Sequence, residues 1–101
     1  MNTLPITVSQ DALGAFCRRR KIRRLALFGS VLREDFRPDS DVDVLVDLLP
    51  NHGLSMYDWV DMIDELKEIF GRDVDLVDKT AIRNPFRRHA ILSSYEVVYA
   101  A

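Results

Sequence analysis

At 101 residues the chain has room for one domain, residues 1–101, with a modest core. A formal net charge of −2 argues against holding nucleic acid by bulk electrostatics, so stable nucleic-acid binding is not expected, and 48% hydrophobic residues exclude disorder by composition. Cys17 is the single cysteine, which rules out an intrachain disulfide and suits a reducing compartment. No apolar run approaches the roughly 20 residues of a membrane span and no leader is evident, so the expected location is the cytoplasm, with no membrane contact.

In chain order, Ser9 to Arg20 reads as a helix, with Ser9 as N-cap and Leu13, Phe16 and Cys17 on one face. The cations of Arg18 to Arg24 follow, either as a solvated helix end that suits the macrodipole or as a contact for phosphates or an acidic partner. Leu25 to Phe28, with Ile22 just before, predicts a buried strand that ends at Gly29. Ser30 to Glu34 predicts a short helix, Arg37 to Ser40 a loop, and Val42 to Leu48 a second strand.

Ser55 and Asp58 form an acidic variant of the capping box that opens a long helix. Its apolar stripe runs from Trp59 through Met62 and Leu66 to Phe70, and Gly71 stops it. Asp73 to Val77 is a third strand, Asn84-Pro85 starts another helix, and Tyr95 to Tyr99 is a last strand. The result is an α/β (α+β) chain: a small sheet of about four strands packed with helices. The pattern does not fix strand directions, but the short link allows the first two strands to be neighbours.

The chemistry concentrates in Leu27 to Val46. Gly29-Ser30 closes a strand and opens a helical turn, which offers an anion a glycine without Cβ, a hydroxyl and free backbone N–H groups. Asp41 and Asp43 are two apart on a strand and point to one face. Two ionised carboxylates about 5 Å apart repel by roughly 3 kcal/mol at an effective dielectric near 20, which calls for a counter-ion. Mg²⁺ fits, since it prefers oxygen ligands and shares its shell with phosphates. If the third strand lies beside the second, Asp75 completes a three-carboxylate cluster suited to two metal ions. Asp73 shares that face and is the rival. Asp75 is favoured because apolar residues flank it.

The pattern Gly29-Ser30, ten residues, then Asp41-x-Asp43 resembles the signature of the polymerase-β-like nucleotidyltransferase superfamily. Its four fixed positions would arise by chance in about one in a thousand sequences of this length. Arg33 and the run Arg37 to Asp41 are similar to its minimal nucleotidyltransferase (MNT) branch. The resemblance covers nearly the whole chain and implies a mixed sheet of that fold. It implies that Gly29 and Ser30 hold the triphosphate of ATP, with Arg33 and Ser40 as further nucleotide contacts. It also implies that Asp41 and Asp43 bind Mg²⁺, with two ions expected, and that Asp75 is the third acid. A structural salt bridge is an equal reading of Arg33. One departure is Glu34, where this branch often carries glycine.

Larger members of the superfamily add a domain that grips the acceptor, and 101 residues leave no room for one. The expected partner is therefore a protein that completes the site in a hetero-oligomer. The resemblance to the antitoxin of HEPN–MNT pairs implies AMP transfer from ATP to a tyrosine of a HEPN ribonuclease toxin. Two alternatives are an antitoxin that masks its toxin by contact alone, and transfer to RNA or a small molecule. His52 and His89 lack metal-ligand spacing and read as structural or surface residues.

Overall fold

The structure is a computed structural model, and it describes residues 8–32 and 40–100. Helix α1 spans Gln10–Arg19, and the Ser9 side chain accepts the Ala12 N–H as its cap. Strand β1 covers Ile22–Phe28 and leads into a 3-10 turn, Gly29–Leu32. Strand β2 is Val42–Leu48, helix α2 Met56–Phe70 and strand β3 Val74–Asp78. Helix α3, Pro85–Ser93, and strand β4, Tyr95–Ala100, complete the chain order.

The helix ends follow their sequence signals. At α2 the capping box closes both ways: Asp58 N–H donates to Ser55 Oγ and Ser55 N–H to Asp58 Oδ2, at 3.2 and 2.8 Å. Gly71 stops the helix at φ 72°, a left-handed conformation that costs glycine little. At α3 the Asn84 side chain accepts from the N–H groups of Phe86 and Arg87, with Pro85 in the first turn.

The sheet order is β3-β2-β1-β4. β1 runs antiparallel to both β2 and β4, while β2 and β3 are parallel. A parallel pair needs a long crossover, and α2 supplies it. Strand side chains alternate between two unequal layers. On one face Val42, Val44 and Val46 of β2 meet Leu13 and Phe16 of α1 and Met62 and Leu66 of α2 in the main core. On the other, Ala26, Phe28 and Leu45 form a smaller cluster under Ile91 of α3. The odd positions of β2, Asp43 and Asp47 with Leu45 between them, therefore turn toward the thinner layer.

Three expectations need correction. The first strand starts at Ile22, because pairing with β2 and β4 carries it through Arg23 and Arg24, whose side chains stay exposed. The third strand starts at Val74, which leaves Asp73 outside it. The cations after α1 are not simply a solvated end: Arg20 donates to Glu65 Oε1 at 2.6 Å and stands 3.6 Å from Asp58, and Arg19 stands 3.2 Å from Glu65. Arg20 is only 17% exposed, so this pairing ties α1 to α2.

Candidate active site

The site forms where β1 ends and β2 and β3 begin. Phe28 pairs with Asp43 across the antiparallel ladder, and Asp43 pairs with Asp75 across the parallel one. Paired residues share a face, so the β3 acid and the second β2 acid stand side by side on the thinly covered side. The register is pinned at its start, where Val42 N–H donates to Asp73 O at 2.9 Å. Asp73 itself lies before the strand, 78% exposed, with its carboxylate 3.9 Å from Lys67 Nζ. The geometry thus separates the two rivals: Asp75 lies against Asp43, and Asp73 points to α2.

Gly29 sits at φ 73°, beside Asp43. A Cβ at this position would collide with Asp43 Oδ2 and stand 3.1 Å from its Cγ. Both the backbone conformation and the close approach therefore require glycine here. The Asp43 carboxylate occupies the space a side chain would fill, so the missing Cβ is what lets the turn and the acid lie in contact.

Asp43 is half-buried, whereas Asp41 and Asp75 are exposed. Among the described residues, no three acidic, histidine or cysteine side chains converge closely enough to hold an ion by themselves. The expected three-carboxylate cluster is thus a neighbouring pair with Asp41 nearby, rather than a closed cage. Like charges with access to water have no reason to converge unaided. Mg²⁺ does not require a cage: it commonly takes one or two carboxylates and completes its shell with water and phosphates. Oxygen-only donors fit that ion.

Of the other expected residues, Ser40 is placed at the entry to β2, where its backbone carbonyl accepts from Arg72 Nη1 at 3.5 Å. Arg33 and Glu34, and the loop residues 37–39, lie outside the described residues. The 3-10 turn at Gly29–Leu32 occupies the start of the predicted short helix. Sequence reasoning missed Arg72, which follows the Gly71 stop and reaches the segment that carries Asp41. Only its position one residue past a helix-ending glycine could have suggested it. His52 has a local role, with Nδ1 accepting the Leu54 N–H at 2.9 Å.

A sequence profile of the nucleotidyltransferase domain matches residues 10–98. The chain belongs to this nucleotidyltransferase family. It is 32% identical over 80 residues to the protein adenylyltransferase MntA of Thermococcus cleftensis, covering 77% of this chain and 74% of that one. It is 35% identical over 71 residues to a Methanocaldococcus jannaschii protein that carries a provisional protein adenylyltransferase name, covering 70% and 71%. A solved structure described as a minimal nucleotidyltransferase superposes with a TM-score of 0.69 at 30% identity, covering 85% of each chain. A toxin–antitoxin crystal structure with AMP-PNP gives a TM-score of 0.72 at 19% identity over 93% of this chain and 75% of that one, a likeness of fold. The mixed four-stranded sheet is the polymerase-β-like nucleotidyltransferase fold, and the chain is a nucleotidyltransferase. Among the described residues no helix is long and apolar enough to cross a membrane.

Proposed function

We propose that this nucleotidyltransferase transfers AMP from Mg-ATP to a tyrosine hydroxyl of a HEPN ribonuclease toxin and thereby acts as its antitoxin. The observation that carries the reading is the register that sets Asp75 against Asp43, beside a glycine whose missing Cβ lets the Asp43 carboxylate lie against the turn. The relatives support the choice of acceptor. One is the adenylyltransferase MntA, and a solved structure of similar fold holds a tri-AMPylated Shewanella oneidensis HEPN toxin with its MNT antitoxin.

In this reading Gly29 and Ser30 take the triphosphate, with Arg33 and Ser40 as further phosphate contacts. Asp41 and Asp43 would hold Mg²⁺, as one ion or two, which when bound would neutralise phosphate charge and lower the pKa of the attacking hydroxyl. Asp75 accepts the proton of the acceptor hydroxyl. The acceptor oxygen bonds to the α-phosphorus as the bond to the β-phosphate oxygen breaks, and pyrophosphate leaves in line. Arg72 fixes the backbone of Ser40 and so steadies the approach to Asp41. The cytoplasm supplies ATP and Mg²⁺, and the buried thiol of Cys17 needs no oxidising compartment.

Masking by contact alone would use the basic cluster after α1, in which Arg19 and Arg20 are engaged by Glu65 while Arg23 and Arg24 are exposed. The test is to incubate the chain with Mg-ATP and its HEPN partner and weigh the partner. A gain of one or more AMP units is expected, and none with Asp41→Asn/Asp43→Asn. Protection from the toxin without any mass gain would favour masking.

A further inference from the structure

Charge is distributed unevenly along the chain. Residues 79–95 hold Lys79, Arg83, Arg87 and Arg88, four of the 14 lysines and arginines, and none of the 16 acids. The remainder sets ten such cations against all 16 acids, so a basic segment sits on an acidic body. Helix α3 lies within that segment. Among the described residues, no carboxylate pairs with any of the four cations, in contrast to Arg19 and Arg20, whose charges meet Glu65. Arg88 instead donates to a backbone carbonyl, that of Lys79, at 3.1 Å.

The helix also offers an apolar anchor among these charges. Ile91 is its one buried residue and points at the sheet. By helical geometry Phe86 and Ala90 turn away from it, with Arg87 and His89 on the two flanks, and all four are exposed. Phe86 is 85% exposed. Aromatic residues and arginine are the side chains that protein interfaces enrich. The position matters as much. Ile91 clusters with Phe28, and Phe28 pairs with Asp43 across the sheet. Helix α3 thus walls the acidic site on the thinly covered face, and Phe86 lies five residues, about 7.5 Å of helix, farther along. A standard interface covers about 800 Å² on each partner, enough to reach both.

We infer that the exposed face of α3, centred on Phe86 with Arg83 and Arg87, is the docking surface for the protein acceptor. The acceptor's side of the contact is an apolar seat for Phe86 ringed by aspartate and glutamate. The inference rests on the proposed transfer to a protein. Nucleic acid suits the patch less. A polyanion feels the whole acidic chain, whereas a protein need bring only a few local acids.

Calorimetry of the full chain with its HEPN partner, without nucleotide, measures docking apart from transfer. Phe86→Ala and Arg87→Glu should each weaken this binding about tenfold or more, and added salt should weaken the parent's binding. In transfer assays the same variants should raise KM for the partner about as much, with kcat and AMP-PNP affinity unchanged. Arg18→Glu, the same charge change on α1, should bind as the parent does. A circular dichroism melt of each variant checks that it still folds. Variants of α3 that fold and bind as the parent does would overturn the inference, as would a parent that does not bind the partner. An equal loss in Arg18→Glu would move docking to the basic cluster after α1 and contradict it. So would saturable binding of a short single-stranded RNA that Arg87→Glu abolishes, which would give the patch to nucleic acid. A parent that transfers no AMP, yet binds the partner and loses that binding in the α3 variants, would support the docking surface and fail the transfer reading instead.

Discussion

Asp75 stands directly opposite Asp43 in the parallel β2–β3 pair, so two carboxylates share one face with no third strand between them. Such a pair favours a bound cation. Asp43→Asn should therefore lower AMP transfer about 100-fold or more in a chain that still folds. Transfer assays beside a thermal melt check both halves.

The same register distinguishes neighbouring acids. Asp75→Asn is expected to abolish transfer, whereas Asp73→Asn loses only an exposed contact 3.9 Å from Lys67 and should retain most of it. Initial rates for the two variants at saturating ATP decide the matter. Equal losses would mean that strand register does not select the third acid.

Gly29→Ala should fail on two counts. Its φ of 73° strains any residue with a Cβ, and the new atom would push against Asp43. The expected cost is about 1–3 kcal/mol of stability, read by urea unfolding, together with loss of nucleotide binding.

Glu65 gives a pH signature. Burial works to raise its carboxyl, but hydrogen bonds from Arg20 and Arg19 outweigh that and hold it below the ordinary 4.5. A lowered folded value means the pairing contributes fully above about pH 4.5 and is lost as pH falls through the lower folded value. Glu65→Gln should cost about 1.5–2 kcal/mol near neutral pH, and the difference from the parent should shrink as pH falls below about 4.5. Denaturant melts across that range test it.

Much of this was legible in the residues themselves. Ser55, Asp58, Gly71, Asn84 and Pro85 act locally, through a cap or a fixed backbone angle, so their positions announced the helix ends. Gly29, Asp41 and Asp43 stood out by their spacing, although only Asp43 lies within a strand: Gly29 follows β1 and Asp41 stands one residue before β2. The pairing of Asp75 with Asp43 needed strand order and direction, which depend on contacts distant in sequence. For Arg19 and Arg20 the choice between a solvated helix end and a contact stayed open because their partner, Glu65, lies more than forty residues away. Arg72 was missed for the same reason, since its role depends on where the start of β2 lands.

The central claim is that Asp43 and Asp75, beside Gly29, form a magnesium-dependent nucleotide site. Calorimetric titration with AMP-PNP tests it most directly. The account predicts saturable binding of one nucleotide per chain in Mg²⁺, lost on chelation of the metal and in Asp43→Asn. Binding of equal strength with the metal chelated, or undiminished in Asp43→Asn, would contradict it.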